Sequence, residues 1–205
     1  MAKSGFMKDA MVLFAITLVA GLALGFVNDI TKEPIAKAQM AAKVEAYKTV
    51  YADAADFKAQ DALTTEAASS AETLADKGWG NVFVADAVEA LDASGAVIGH
   101  VVNSTSKDGY GGNIEISVGV SSEGTVTGIA FLSISETPGL GMRATEEGGF
   151  KEQFAGKTAE SFELTKSGAS ADNQIDAMSG ATITSSAVTN AVNAAVYFAN
   201  NCTAQ

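Results

Sequence analysis

The sequence of 205 residues predicts an α+β protein, in which an antiparallel sheet packs against helices, with one N-terminal transmembrane helix. Two patterns indicate this class. An uncharged apolar stretch lies near the N-terminus, and a series of short strand-like segments precedes a segment with helical spacing of apolar residues. The hydrophobic content of 47% is sufficient for one packed domain. We divide the chain into an anchor (1–28), a helical connector and loop (29–80) and a domain (81–205).

The clearest non-globular feature is a stretch of eighteen uncharged residues, Ala10–Val27. As a helix it would be roughly 27 Å long, which nearly matches the hydrocarbon core of a bilayer. Lys3 and Lys8 precede it, which predicts a cytoplasmic N-terminus and an extracytoplasmic domain. The alternative is a cleaved signal peptide, but the stretch exceeds the usual apolar core of such peptides and no clear cleavage site follows. We expect a single-pass anchor in contact with membrane lipid.

The region after the anchor is Ala-rich and spaces its apolar residues as a helix does. These residues are Met40, Val44, Tyr47, Val50 and Tyr51. The next stretch, Asp61–Gly80, is rich in Ala, Ser, Thr and Glu and is only weakly periodic. We expect it to be a loop or a poorly ordered surface.

The strand-like segments begin at Asn81 and are separated by turn residues such as ASG, KDGYGG and SSEG. Because short strands joined by tight turns pair with their neighbours, we predict an antiparallel sheet. A short helix is expected in GFKEQFAGK, and a final helix from about Ser185 to Asn200. The final helix has apolar positions at helical spacing, so one of its faces is expected to pack on the sheet. The four strand-like segments are 81–92, 96–105, 112–120 and 124–135.

Composition excludes several classes of function. There are 24 acidic and 13 basic residues, so nucleic acid is not an expected partner. The only cysteine is Cys202 and the only histidine is His100, which excludes an intrachain disulfide, a cysteine-ligated iron–sulfur or zinc site and a histidine-rich metal centre. We interpret His100 as an ordinary strand residue. Any redox chemistry must therefore use an organic cofactor.

One short segment, IDAMSGATITSSAV (175–188), concentrates hydroxyl groups before the final helix. One of Thr184, Ser185 or Ser186 is expected to cap that helix, because Ser and Thr are common N-caps. A helix N-terminus also offers free N–H groups and the positive end of a dipole to a phosphate. Gly180 and Ala181 would let the backbone come close to a bulky group, and a hydroxyl could even be esterified by the phosphate. The hydroxyl residues are Ser179, Thr182, Thr184, Ser185 and Ser186.

Within this segment, DAMSGAT (Asp176–Thr182) resembles the flavinylation motif Asp-x-x-Ser/Thr-Gly-Ala-Thr. That motif occurs in the FMN-binding domains of the G subunit of Rnf complexes and the C subunit of sodium-pumping NADH:quinone reductases. The resemblance implies that a flavin transferase, using FAD as the donor, joins FMN to Thr182 through a phosphoester. It also implies that Asp176 and Ser179 are recognised by the transferase, while Gly180 and Ala181 leave room for the phosphate. Thr184 is the alternative attachment residue.

Two further segments are similar to the same domains. SETPGLGMR (Ser135–Arg143) resembles their Glu-Thr-Pro-Gly-Leu-Gly segment, and DGYGG resembles their Gly-Tyr-Gly-Gly segment. Pro138 and Gly139 fit positions i+1 and i+2 of a type II turn. We expect Tyr110 and Leu140 to line the flavin ring, and Arg143 either to contact the flavin or to form a surface ion pair. The resemblance adds these cofactor-binding candidates: Tyr110, Glu136, Thr137, Gly139, Leu140 and Gly141.

The resemblance implies an electron-transfer subunit with covalent FMN in an Rnf complex, which couples ferredoxin oxidation and NAD reduction to ion movement across the cell membrane of a prokaryote. The implied partners are the other membrane and peripheral subunits, the flavin transferase and membrane lipid. We find no paired base and nucleophile, so the chain is not expected to be catalytic alone. The alternatives are the C subunit of a sodium-translocating quinone reductase, a free-standing flavinylated electron carrier, and a non-redox, membrane-anchored protein-binding module.

Overall fold

The computed structural model describes residues 3–203, which form three α-helices, seven strands and two short 3-10 helices. The chain divides into two compact units, Met1–Ala42 and Lys43–Gln205. The α-helices are α1 (Lys3–Val50), α2 (Asp61–Asp76) and α3 (Thr182–Asn201). The strands are β1 (Asp56–Ala59), β2 (Val82–Leu91), β3 (Val97–Ser106), β4 (Ile114–Ser121), β5 (Val126–Ser133), β6 (Glu163–Thr165) and β7 (Gln174–Asp176). The 3-10 helices are Gly141–Thr145 and Lys151–Phe154.

The first unit consists of the N-terminal part of α1, and the predicted anchor Ala10–Val27 lies within this helix. By length and composition the helix is long and apolar enough to cross a membrane. Large apolar side chains such as Phe14 and Leu22 are exposed, which is typical of a helix surface that meets lipid. The predicted helical connector is confirmed as a continuation of the same helix.

The second unit is built on a five-stranded sheet with strand order β1-β2-β3-β4-β5. Every neighbouring pair is antiparallel, which confirms the predicted sheet. Consecutive strands pair because only short connections separate most of them. A separate parallel pair, β6 and β7, leads toward α3 and places Asp176 at the end of β7.

One face of the sheet is covered by α2 and α3, and the main hydrophobic core lies between these layers. The Ser104 hydroxyl on β3 donates a hydrogen bond to the Ala191 carbonyl oxygen on α3 at 2.8 Å, which connects the two layers. The predicted packing of the final helix on the sheet is therefore confirmed. Fully buried residues of β4 that point into this core are Ile114, Ile116, Val118 and Val120.

The other face of the sheet is covered by the last turns of α1, where Tyr47, Val50 and Tyr51 are buried in a second, smaller core. The helix end approaches the sheet closely because two strand residues lack side chains. A Cβ atom at Gly119 would lie 2.5 Å from the Val50 carbonyl oxygen, and one at Gly128 would lie 3.1 Å from the Val50 Cα. The end of α1 thus belongs to the core of the second unit.

A polar network joins this helix end to three strands. The Lys43 Nζ lies 2.5 Å from the Asp86 Oδ2, and the Asn103 amide donates to Asp86 and, at 2.7 Å, to the Tyr47 hydroxyl. The Ser117 hydroxyl donates to the Asn103 Oδ1 at 2.5 Å. Burial, the largest cause, raises the pKa of Tyr47 to about 12, and the charge of Asp86 acts in the same direction.

Three sequence expectations differ from the structure. The expectation of a loop at Asp61–Gly80 is wrong, because α2 occupies most of this stretch and buries Leu63 and Leu74. The final helix begins at Thr182, three residues before the predicted Ser185, because the hydroxyl residues form its first turn. The short helix expected in GFKEQFAGK is a 3-10 helix of four residues.

Candidate functional site

The site is built from two tight turns and the start of α3. The first turn, Thr137–Leu140, is closed by a hydrogen bond from the Leu140 N–H to the Thr137 carbonyl oxygen at 3.1 Å. Gly139, its third residue, has a φ of 75°. This geometry confirms the type II turn predicted from Pro138 and Gly139. Gly141 follows directly and begins a 3-10 helix.

The second turn, Met178–Ala181, repeats this geometry in the hydroxyl-rich segment. Its closing bond runs from the Ala181 N–H to the Met178 carbonyl oxygen at 3.0 Å, and Gly180 has a φ of 79°. A Cβ atom at Gly180 would lie 3.3 Å from the Leu140 Cδ2, so the two turns contact each other here. Glycine is therefore favoured at position 180 for two reasons, since it adopts the positive φ without strain and lets Leu140 come close to the backbone.

Helix α3 begins at Thr182, with Ala181 as its N-cap. The first bond within the helix runs from the Ser185 N–H to the Ala181 carbonyl oxygen at 2.9 Å. The N–H groups of Thr182, Ile183 and Thr184 consequently have no partner inside the helix, and the N-cap side chain accepts from none of them. This helix end offers several donors and the positive end of the helix dipole to an anion.

The expected hydroxyl cap is wrong, because Thr184, Ser185 and Ser186 all lie inside α3 rather than before it. Ser185 is buried and stabilises the second turn. Its hydroxyl accepts a hydrogen bond from the Met178 N–H at 3.0 Å and donates to the Ala181 carbonyl oxygen at 2.9 Å. The hydroxyl of Ser185 is therefore fully used within the fold.

Thr182 and Thr184 differ in what their hydroxyls contact. Thr184 is buried and donates to the Glu136 Oε2 at 3.0 Å. Thr182 is half-buried, and within the described part of the chain its hydroxyl makes no hydrogen bond. Of these two threonines, Thr182 has the hydroxyl that is open to reaction or to a ligand.

Glu136 connects three segments of the site. Its Oε2 accepts from Thr184, and its Oε1 accepts from the Gly111 N–H at 3.1 Å. Only 7% of the residue is exposed. Because its side chain is enclosed and hydrogen-bonded, Glu136 supports the wall of the site.

The segment that carries Tyr110 is held from the other side by Asp108. The Asn81 backbone N–H donates to the Asp108 Oδ2 at 2.7 Å, and the Asn81 side chain donates to the Oδ1 at 2.8 Å. These bonds hold the pKa of Asp108 below its usual value, the side-chain bond having the larger effect. The turn between β3 and β4 is thereby fixed next to the site.

These elements surround a cavity of about 510 Å³. Ten residues line it, and nine of them are site residues predicted from the sequence. The structure thus brings together three segments that are far apart in the chain. The lining residues are Tyr110, Glu136, Thr137, Leu140, Gly141, Gly180, Ala181, Thr182, Ile183 and Thr184.

Three predicted residues do not line the cavity. Gly139 supports the first turn, and Ser179 is exposed at the second turn. Asp176 is exposed at the end of β7, where Gln153 bonds to its backbone N–H and carbonyl groups at 2.7 and 3.2 Å. Arg143 is exposed and does not line the cavity, and no ion pair within residues 3–203 includes it, so the expected surface ion pair is not seen.

The sequence did not identify Ile183, which lies between the two threonines and is 54% exposed. Tyr110 is 72% exposed and Leu140 is 44% exposed, so the cavity has an apolar rim of three side chains. The sequence feature that could have identified Ile183 is a large apolar residue among the small and polar residues at the start of the helix. Exposed apolar side chains that cluster around a cavity are typical of a ligand-binding site.

The residues present fit a flavin mononucleotide. The start of α3 offers N–H donors suited to a phosphate, with the open Thr182 hydroxyl beside them. The rim formed by Tyr110, Leu140 and Ile183 suits an aromatic ring system, and the volume is within the range of roughly 300–1,000 Å³ usual for small-molecule sites. Among residues 3–203, no cluster of three or more His, Cys, Asp or Glu side chains is arranged to hold a metal ion.

A helix N-terminus with an open hydroxyl and an apolar rim defines a domain that binds a phosphorylated aromatic cofactor. Comparison with known families agrees with this class. The FMN-binding domain family matches residues 109–197, a range that includes every lining residue of the cavity.

Two relatives extend the similarity to nearly the whole chain. It is 32% identical over 201 residues to the G subunit of the Na(+)-translocating ferredoxin:NAD(+) oxidoreductase complex of Acetobacterium woodii, covering 95% of this chain and 91% of the relative. It is 33% identical over 190 residues to the G subunit of the ion-translocating oxidoreductase complex of Methanosarcina acetivorans, covering 92% of each. The chain therefore belongs to the family of G subunits of ion-translocating oxidoreductase complexes.

A solved structure with a more distant likeness is the C subunit of the Na(+)-translocating NADH-quinone reductase from Parabacteroides distasonis. The match covers 74% of this chain and 79% of that chain, with 22% identity and a TM-score of 0.48.

Proposed function

We propose that this chain is the electron-transfer subunit of a membrane-bound, ion-translocating ferredoxin:NAD oxidoreductase and that it carries FMN joined to Thr182 through a phosphoester. One observation supports this above all others. Thr182 lines the cavity at the first position of α3, and its hydroxyl is open while that of Thr184 is occupied by Glu136. The names of the relatives support the assignment to this kind of complex.

The residues of the cavity would divide the binding of FMN between them. The N–H groups at the start of α3 would hold the phosphate next to Thr182. Gly180 would keep side-chain atoms away from the phosphate, and Leu140, Ile183 and Tyr110 would contact the ring. Bound FMN supplies reversible electron transfer, for which the protein provides orientation and a defined environment.

Attachment requires a flavin transferase, and the structure has exposed residues that such an enzyme could recognise. Asp176 and Ser179 belong to the motif but lie outside the cavity, and both are exposed. In the structure the Asp176 carboxylate forms no ion pair with another described residue. These two side chains therefore remain accessible to the transferase while Thr182 faces the cavity.

The relay role follows from permanent attachment. A cofactor that cannot dissociate suits the transfer of electrons between fixed neighbours rather than exchange between enzymes. Glu136 is the only carboxylate among the described residues that line the cavity, and the hydroxyl that donates to it, that of Thr184, is buried at 2% exposure. The electron donor and acceptor would be other subunits of the complex, which carry the chemistry of ferredoxin and NAD.

The proposed topology is a single membrane crossing by the apolar part of α1, in contact with lipid. Lys3 and Lys8 precede the apolar stretch, which favours a cytoplasmic N-terminus. The FMN-binding unit would then lie on the extracytoplasmic side of the cell membrane.

The test is the intact mass of the protein purified from a host with an active flavin transferase. We expect an increase equal to FMN minus one water molecule. The Thr182→Ala variant should have the mass of the bare chain and keep its fold, because alanine is a better helix former than threonine and the Thr182 hydroxyl makes no bond in the fold. The Ser186→Ala variant is the matched control and should keep the flavin, since Ser186 does not line the cavity.

A bare mass for the natural sequence, with the transferase active on a second substrate, would contradict the proposal and favour a membrane-anchored protein-binding module. Flavin retained by Thr182→Ala would place the attachment elsewhere, with Thr184 as the next candidate. Purification of the flavinylated chain without other subunits, under conditions that preserve membrane complexes, would favour a free-standing electron carrier.

A further inference from the structure

We propose that Glu136 is a positioning residue that clamps the turn between β3 and β4, which carries Tyr110, to the first turn of α3. This clamp fixes the shape of the cavity and leaves Thr182 as the threonine with an open hydroxyl. The consequence for the flavin rests on the proposed function. The clamp itself concerns only this chain and is testable without a cofactor.

The Glu136 side chain is enclosed by glycines from neighbouring segments. A Cβ atom at Gly109 would lie 2.8 Å from the Glu136 Oε1, and one at Gly141 would lie 2.7 Å from both the Glu136 Cβ and its Oε2. At Gly111 a Cβ atom would lie 2.0 Å from the carbonyl oxygen of Ser135, the residue before Glu136. Gly109 and Gly141, from two separate segments, thus leave room for the Glu136 side chain, and Gly111 leaves room for the backbone that carries it.

The hydrogen bonds of Glu136 are divided between two segments of the chain. Each carboxylate oxygen accepts from a different segment, Oε1 from the Gly111 N–H at 3.1 Å and Oε2 from the Thr184 hydroxyl at 3.0 Å. None of the ion pairs within residues 3–203 includes Glu136, although the residue is only 7% exposed. A buried carboxylate without a basic partner is stabilised by its hydrogen bonds alone, so losing these bonds is expected to loosen both segments.

Glu136 forms a hydrogen bond with only one of the two threonines that line the cavity. Thr184 and Thr182 are two residues apart at the start of α3, and both line the cavity. The Glu136 carboxylate accepts a hydrogen bond from the Thr184 hydroxyl and holds that side chain in place, where it is only 2% exposed. Glu136 therefore restricts the reactive position to Thr182 without contacting it through any bond in the structure.

The variants are chosen to separate hydrogen bonding from charge. Glu136→Ala removes both bonds. Glu136→Gln can keep both, because its carbonyl oxygen accepts from Gly111 while its amide donates to the Thr184 hydroxyl. Thr184→Val removes one bond with little change of shape, and Glu147→Ala is the matched control because Glu147 is exposed outside the cavity.

The first measurement is hydrogen–deuterium exchange of the full chain in detergent, without flavin, followed in the peptide that contains Gly111. Loss of a hydrogen bond to a charged group should speed exchange at Gly111 about tenfold or more in Glu136→Ala. Glu136→Gln and Glu147→Ala should exchange as the natural sequence does. Unchanged exchange in Glu136→Ala, or equally fast exchange in Glu136→Gln, would overturn the clamp. If Glu136→Ala does not fold, Thr184→Val replaces it, and exchange is followed in the peptide that contains the start of α3, where the lost bond lies. Unchanged exchange in that peptide would overturn the clamp.

The second measurement uses protein loaded by the transferase and records the site of attachment by peptide mapping and the quenching of flavin fluorescence by iodide. We expect attachment at Thr182 and equal quenching in the natural sequence and Glu136→Gln, and a larger quenching constant in Glu136→Ala. A purely structural role would lower the thermal midpoint of Glu136→Ala without changing the quenching, and that result would overturn the positioning role. Absence of flavin from the natural sequence would refute the proposed function instead, and the exchange experiment would still decide on the clamp.

Discussion

Tyr47 keeps its proton well above the pH at which a free phenol loses it. Burial against the sheet raises its pKa to about 12, so the folded protein favours the neutral form. This contribution to stability is fully present below the unfolded pKa of about 10 and is lost as the pH rises toward the folded value. We expect the absorbance of tyrosinate near 295 nm to show a late step near pH 12 that Tyr47→Phe removes.

The exposed Tyr110 supplies the control for this titration. Tyr110→Phe should leave the late step in place, because Tyr110 is 72% exposed and takes no part in the hydrogen bonds of Tyr47. A late step that disappears in Tyr110→Phe and persists in Tyr47→Phe would show that burial of Tyr47 is not its cause.

His100 is expected to make the stability of the protein depend on pH on the acid side of neutrality. Burial on β3 lowers its pKa, while Glu89, its cross-strand partner, partly opposes the shift. The unfolded chain therefore binds this proton more readily, and stability decreases as the pH falls from the unfolded pKa of about 6.5 toward the lower folded value. Urea midpoints measured from about pH 5 to 8 should change less in His100→Gln than in the natural sequence. Identical pH profiles for the two proteins would contradict the assignment.

At the site, the sequence was sufficient to name nine of the ten lining residues, because three short motifs carried them. It was not sufficient to decide which threonine is open. That difference depends on Glu136, which contacts Thr184 across 48 positions of the chain. Ile183 was missed because an apolar residue in a helix is usually assigned to a core, whereas this one is exposed at the rim.

Among the secondary-structure elements, the end of α1 lies so close to the sheet that side chains at two glycine positions would contact its backbone. Gly119→Ala should destabilise the second unit by about 1–3 kcal/mol, because the new Cβ would meet the rigid Val50 backbone. Gly128→Ala, whose Cβ has a longer nearest distance to Val50, should cost less. Chemical unfolding of the two variants measures this order, and equal or reversed costs would contradict the packing described for Val50.

Helix α2 shows why a helix of small residues escapes prediction. Its buried positions, Leu63, Ala67, Ser70 and Leu74, follow helical spacing, but only the two leucines are strongly apolar. Packing against β2 supplies the stabilisation that the local sequence lacks. By contrast, the strands of the sheet were predictable because each combines β-branched residues with flanking turn residues.

For the whole molecule, the second unit determines where the chain can be shortened. A fragment of residues 43–205 keeps Tyr47, Val50 and Tyr51 over the sheet, whereas a fragment of residues 81–205 loses these residues and α2. We expect the longer fragment to be soluble and to unfold cooperatively, and the shorter one to aggregate because both sheet faces expose apolar surface. Size-exclusion chromatography and thermal unfolding of both fragments check this, and a monomeric, stable shorter fragment would contradict it.

The position of α3 at the end of the fold has a consequence for biosynthesis. Tyr110, Glu136 and Leu140 leave the ribosome well before Thr182, yet the cavity needs the start of α3 to complete its wall. Helix α3 in turn packs on β3 and β4, which precede it in the chain, so these contacts close only after residues 182–201 have been made. The pocket is therefore incomplete on any nascent chain that lacks α3, and a group fixed at Thr182 inside the finished pocket must be added after α3 has been made.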